Sequence, residues 1–462
     1  MLNQRQFAWM AATMLISGGL LSLPKALIEL AKLDAWFSEI GGMLYGLMLA
    51  YFFCQCARKF PGKNLFEIVN ALCGRWFGGV INSVFLLYIW QLLMRDTRGF
   101  ADFMNSTLLL RTPEEFTILL FILVLVYYCK SSVEVAARVN DMMFPLFLFV
   151  LFSFPFLLVN EFSFERIEPI LGSGVSTVGL ANLLPVGWYA DLLVLGAFLH
   201  TISTSRQIQT AIKFGVSLSA VGLTMLLFLC ITVLGSSVAG RTMYPNYTLV
   251  EQIHITDYLD RLELVLFSIW LPTFILKCCY IFTALIIGLN SFTRRDDQKF
   301  YAKQVGWFLQ ITTAMAFHSV VEVFEFGNYG AVFTVAAMQI PFLLLVFVLL
   351  MRRKTAAVEL EADRATREQE QQERADLDKP RISRVRSKTW SLLTHALIAT
   401  CASVILIGGF FGADSAMIGG FCGLIYALSL LGTLFTTYME LRKVRTASLK
   451  PEQHKKQEQK LA

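Results

Sequence analysis

The chain has 462 residues, of which 56% are hydrophobic and 16% charged, with 39 phenylalanines. A soluble domain carries roughly 25% charge, so this composition excludes a water-soluble globular protein and describes an integral membrane one. The formal net charge of +6 sits in short loops and tails, where positive charge is expected beside a membrane, and it gives no ground for a nucleic-acid partner.

A helix needs about 20 apolar residues to cross a hydrocarbon core of about 30 Å, and the chain offers twelve such segments. Segment 1 runs from about Phe7 to Leu30 and segment 2 from about Trp36 to Ala57. Segment 3 begins near Gly79 and continues past Arg95 toward Leu110. Segments 4 and 5 cover about Phe116 to Tyr128 and Met142 to Val159. A connection follows that holds Gly172-Ser173-Gly174, read as loop because no strand precedes it and the spacing does not suit a dinucleotide. Segments 6, 7 and 8 span about Leu183 to Ser205, Ala211 to Leu234 and Leu262 to Leu289. Segments 9 and 10 run from about Gln304 to Val321 and Gly330 to Met351, which closes a ten-helix core over residues 1–352.

Composition then changes abruptly. Residues 353–389 form a charged linker of alternating sign, expected as a solvated helix up to Pro380. Two more apolar segments, about Trp390 to Phe411 and Met417 to Tyr438, form a hairpin over residues 390–440 around Gly412-Ala413-Asp414-Ser415, and a basic tail occupies 441–462. With the N-terminus inside, the inner connections before residue 352 hold thirteen Lys and Arg against eight outside, so both termini are expected in the cytoplasm. The N-terminal segment lacks an A-x-A-like cleavage site and is expected to stay attached. Nine cysteines, most inside apolar runs and none with C-x-x-C spacing, read as small core residues, and no metal or cofactor is expected.

Segment 1 carries the strongest local signal. Gly18 and Gly19 weaken a helix through backbone entropy, and Pro24 has no N–H for the Leu20 carbonyl. This predicts a break, and lipid tolerates broken backbone only beside a cavity. Free N–H groups at Gly18 and Gly19 would then face the carboxylate of a ligand. Ten helices with a break in the first suggest two inverted repeats of five, so the sixth should break too, and Gly196 after Leu195 supplies a weaker signal there.

The run Gly18-Gly19-Leu20-Leu21-Ser22-Leu23-Pro24, followed by Leu33-Asp34-Ala35-Trp36, resembles the first two helices of the B subunit of bacterial endospore germinant receptors. Thr112-Pro113, then Val133-Glu134-Val135-Ala136-Ala137-Arg138 before Pro145, is similar to the same family, as are Trp270, Phe274, Lys277 and Tyr280. The resemblance covers about residues 5–352 and departs at Ser131-Ser132, where the family usually has a glycine, and in the linker and hairpin. It implies the amino acid, polyamine and organocation transporter superfamily: an all-α LeuT-like fold, a five-plus-five inverted repeat with discontinuous first and sixth helices. It also implies a pocket for a small-molecule nutrient such as an amino acid, other germinant-receptor subunits as partners, and a place in the lipid bilayer of the spore inner membrane.

Polar residues within the apolar segments complete the candidate site. An ammonium at the depth of Lys277 is costly, and it reads either as a fixed cation in the place of a coupling sodium ion or as a tether between helices. Thr273 and Tyr280 flank it with a hydroxyl each, at spacings of four and three, so all three can share one face. Asp191 either accepts the ammonium of a ligand or lies near the interface, because Pro185 and Gly187 can delay the start of segment 6. His200 reads as hydrogen-bonded structure, and Arg98 with Asp102 as an i, i+4 pair near Arg95 in a polar vestibule. The expected ligand site is therefore Ser17, Gly18, Gly19, Asp191, Leu195, Gly196, Thr273, Lys277 and Tyr280. With no nucleophile and base, metal cluster or phosphate loop, an enzyme has nothing to stand on, and two classes remain: a receptor subunit that senses a nutrient, and a permease that moves one.

Overall fold

The computed structural model describes residues 1–253, 262–293, 300–357, 359–361, 364, 368, 371, 385–412 and 415–461. Most of the charged linker with its expected helix, Ala413 and Asp414 of the hairpin turn, and Arg294, Arg295 and Lys299 lie outside these residues. Among the described residues the secondary structure is entirely helical. Ten helical rods among these residues are long and apolar enough to cross a membrane. Segments 4 and 9 are helical too, over 16 and 15 residues, and they lie against each other.

Helices α1 (Gln4–Ala31) and α2 (Glu39–Lys59) open the chain, followed by the short α3 (Leu65–Cys73) and the long α4 (Arg75–Thr107). Next come α5 (Glu114–Cys129), α6 (Val133–Leu157) and α7 (Val175–Ala181). Then α8 (Leu184–Tyr189) leads into α9 (Ser205–Leu229), with short α10 (Ser236–Arg241) and α11 (Pro245–Glu251) after it. The core ends with α12 (Leu262–Thr293), α13 (Ala302–Ala316), α14 (Val320–Glu325), α15 (Ala331–Thr334) and α16 (Ile340–Met351), and the hairpin is α17 (Ser387–Phe411) with α18 (Ala416–Leu461). The most apolar windows of α1 and α9 are 89% buried, against 28% for the rod ending in α16. A helix apolar all round must be surrounded, so α1 and α9 pack on each other at the centre and the others present one side to lipid.

The break expected in segment 1 is absent, and α1 winds without interruption through Gly18, Gly19 and Pro24. Pro24 does orphan the Leu20 carbonyl, but Asn246 in α11 donates its side-chain Nδ2 to that oxygen at 2.7 Å. With the lost hydrogen bond replaced, nothing opposes the helix in an apolar surrounding. The N–H groups of Gly18 and Gly19 are therefore spent within α1 and are not free for a carboxylate.

The sixth segment does change, at a different place and in a different form. α8 stops at Tyr189 and the chain continues as a 3₁₀ helix over Ala190–Thr201. Runs of 3₁₀ longer than three or four residues are uncommon and mark strain or function. Gln339 stabilises the switch by donating to the Ala190 carbonyl at 2.9 Å. Facing it, the last rod of the core contains two π-helical turns, Phe326–Gly330 and Val335–Gln339, which place Asn328 and Gln339 toward α8. A Cβ on Gly187 would stand 2.7 Å from Ala331 Cβ, so only glycine lets these two rods approach so closely.

The loop carrying Gly172-Ser173-Gly174 is pinned by Asp34, whose carboxylate accepts from Leu171 N at 2.5 Å and Ser173 N at 2.8 Å. α18 lies along α9. Lys213 joins the hairpin through Ser391 at 2.8 Å and Glu440 at 3.4 Å, and Tyr426 donates to the Trp36 carbonyl at 3.3 Å.

Candidate ligand site

Four ionisable side chains meet in the interior where α1, α4, α8 and α12 converge. Lys277 Nζ lies 2.8 Å from Asp96 Oδ2 and 2.9 Å from Asp191 Oδ2. Arg95 Nη2 reaches the same two acids, 2.8 Å from Asp96 Oδ1 and 2.7 Å from Asp191 Oδ2. None of the four is more than 3% exposed. A lone buried charge costs several kcal/mol, and two cations interleaved with two carboxylates cancel. The indole of Trp188 covers both cations, with its centroid 4.0 Å from the Arg95 guanidinium carbon and 5.1 Å from Lys277 Nζ. Asn328 in the first π-turn orients that indole by accepting from Nε1 at 3.0 Å.

Gly18 explains why a glycine stands at this point of α1. A Cβ there would lie 2.1 Å from Lys277 Nζ and 3.1 Å from the Trp188 ring. The missing side chain makes room for the ammonium, which two carboxylates hold in place.

Beside the cluster lies a cavity of about 40 Å³, lined by Gly18, Leu21 and Ser22 of α1, Arg95, Asp96, Gly99 and Asp102 of α4, Trp188, Tyr244, Phe274, Phe324 and neighbours. That volume is small, with space for water-sized groups only. Arg95 lines it with Nη1 lacking an acceptor, and Asp191 Oδ1 also lacks a partner, among the described residues. An unpaired guanidinium nitrogen at a cavity wall is a ready donor for a carboxylate or carbonyl.

The expected site residues divide into three groups. Gly18, Asp191 and Lys277 come together. Ser17 and Thr273 lie close by but satisfy each other: Ser17 Oγ donates to Thr273 Oγ1 at 3.1 Å, Thr273 to the Trp270 carbonyl at 2.6 Å, and Trp270 Nε1 to the Ser17 carbonyl at 3.2 Å. This ring ties α1 to α12. Of the nine, Gly18 lines the cavity itself, Asp191 and Lys277 stand behind Arg95 and Asp96, and the remaining four lie outside both cavity and cluster. Gly19 faces Leu223 of α9, Gly196 beside Leu195 packs against Leu65 and Phe53, and Tyr280 donates to the Ala136 carbonyl on α6 at 3.3 Å. Gly196 is thus a contact glycine for α3 and not the point where the sixth segment changes.

Sequence reasoning passed over Asp96 and Trp188. The readable signal was an acid next to Arg95 in the middle of a long apolar helix, in a chain where Lys277 needed a partner. A second charged group lies further along α4: Arg98 Nε is 3.3 Å from Asp102 Oδ1, as the i, i+4 spacing suggested, and also pairs with Glu114 of α5.

The chain resembles known proteins in sequence and in fold. The profile of a family described as spore germination protein matches residues 1–315. Spore germination protein YfkT of Bacillus subtilis is 26% identical over 326 residues, covering 69% of this chain and 87% of that protein. Spore germination protein A2 of the same organism is 23% identical over 374 residues, covering 77% and 97%. Among solved structures, Mhp1, a nucleobase-cation-symport-1 family transporter in a closed conformation with bromovinylhydantoin bound, superposes with a TM-score of 0.55 at 12% identity. That match covers 96% of this chain and 92% of Mhp1, so the LeuT-like transporter fold extends over nearly the whole chain.

Proposed function

The chain belongs to the spore germination protein family, and from that premise we propose that it is the nutrient-binding membrane subunit of a spore germinant receptor in the spore inner membrane, with both termini cytoplasmic. Its ligand is a small zwitterion such as an amino acid, held in the cavity beside Arg95, Asp96, Asp191 and Lys277. The observation that carries this reading is the balanced cluster with the spare Arg95 Nη1. Because the protein already neutralises its own charges, it favours a ligand of zero net charge whose carboxylate meets Arg95 and whose ammonium meets Asp191 Oδ1. Lys277 supplies the fixed positive charge that a coupling sodium ion would otherwise bring.

A permease is the second reading, favoured by one specific observation. The likeness to Mhp1 runs over 96% of the chain, whereas YfkT and A2 match only 69% and 77% of it although nearly all of their own length is used. This chain therefore carries a part that those relatives lack. A permease must alternate access, while a sensor needs only two states of different affinity and a partner that reads them. Reconstituted alone in liposomes, the protein is expected to bind its amino acid without accumulating it, and its deletion should abolish the germination response of spores to that nutrient. Saturable uptake with no germination defect would make it a permease.

A further inference from the structure

We propose that Asp102 and Glu114 form a proton-binding site at one end of the cavity, and that a ligand entering the cavity takes up one proton with it. The proton site stands on geometry alone; its coupling rests on the ligand-site reading above. Asp102 lines the cavity, is 3% exposed, and its Oδ2 receives no hydrogen bond from any donor among the described residues. The Glu114 carboxyl stands within hydrogen-bonding reach of it, and Glu114 Oε1 is paired with the same Arg98 that holds Asp102 Oδ1, so both acids draw on one guanidinium. Two carboxyl groups in contact cannot both be ionised; a proton between them turns the repulsion into a hydrogen bond.

The surrounding charges leave this demand unmet. Among the described residues, Arg98, on the same helix as Asp102, is the one cation placed against both acids. α5 adds Glu115, another acid, next to Glu114. Tyr244, just before α11, faces Asp102 with a neutral hydroxyl. Glu322 on α14 competes for the field of Arg98 while holding His318. On α1, Lys25 is paired with Glu29 at 3.7 Å and lies over Phe324. One guanidinium against two carboxylates leaves one negative charge, and a single proton removes it.

Coupling follows from the wall they share. Arg95 and Asp102 are two helical turns apart, about 10 Å along α4, and line the same cavity. A ligand filling it displaces water from Asp102, which penalises the ionised pair and spares the protonated one. The bound state therefore holds its proton to higher pH than the free state. Affinity is full below the free-state titration and falls about tenfold per pH unit above it, until the bound state also loses the proton.

Two measurements on the full chain in lipid nanodiscs test this. Without ligand, infrared difference spectra of the unaltered protein should show a protonated carboxyl C=O stretch that disappears as pH rises from about 5 to 9, absent in both Glu114→Gln and Asp102→Asn. An unchanged band set in both variants overturns the proton site. Calorimetric titration with a panel of the twenty L-amino acids should then show affinity falling with pH in the unaltered protein and flat in Glu114→Gln, where the amide donates to Asp102 without a proton. A flat profile in the unaltered protein overturns the coupling. If no amino acid binds at any pH, the ligand reading falls, and the infrared result decides the proton site by itself.

Discussion

Two charge groups are built on α4 around arginines one turn apart, and they differ by one charge. Around Arg95, two cations meet two carboxylates; around Arg98, one cation meets two. The first group balances with protein atoms alone, so it can stay dry and fixed. The second balances only by taking a proton from solution. The chain thus keeps a permanent platform for a ligand next to a site that exchanges with the medium, and the difference comes from Lys277 on a neighbouring helix.

The comparison can be broken by removing that lysine. Lys277→Met turns the first group into a copy of the second, one cation against two carboxylates, and leaves a buried charge uncompensated. A loss of about 3–5 kcal/mol is expected, read as a large fall in thermal unfolding temperature and loss of ligand binding. Adding Asp96→Asn restores the balance and should recover most of the stability. Equal damage in the single and double variants would show that packing, and not charge, sets the cost.

A smaller effect is expected from Gly18→Leu, which places a side chain where Lys277 Nζ now lies. Overpacking of this kind costs about 1–3 kcal/mol. The protein should still insert into membranes while losing its response to ligand, and an unchanged response would place the site elsewhere. The mildest change is Asn246→Ala, which strips the donor from the Leu20 carbonyl and should cost about 1 kcal/mol. Hydrogen exchange in α1 around Pro24 should rise while ligand affinity changes little. No change in exchange would mean that α1 needs no replacement donor there.

These predictions also mark how far the sequence could be read. The apolar segments were legible because their length and composition alone require helices in a bilayer. Lys277 and Asp191 stood out because charges are costly there. The break in segment 1 was misread for a physical reason: the lost donor at Pro24 is visible locally, whereas its replacement, Asn246, is far away in the chain. Gly18 was noticed as a weak point of a helix, yet its role is to leave space for an ammonium from α12, a relation between helices that local sequence does not carry. Gly196 drew attention for the same local reason and proved to be a contact with Leu65 and Phe53. Asp96 went unread because its importance comes from Lys277, a partner far away in the chain that local sequence does not reveal.

Equilibrium binding of the amino acid, measured with sodium or choline as the only added cation and repeated across pH, tests the central claim most directly. A balanced group around Lys277 beside an unbalanced one around Arg98 predicts the same affinity in sodium and choline, falling as pH rises. Binding that requires sodium and ignores pH would contradict the account, returning Lys277 to a tether between helices.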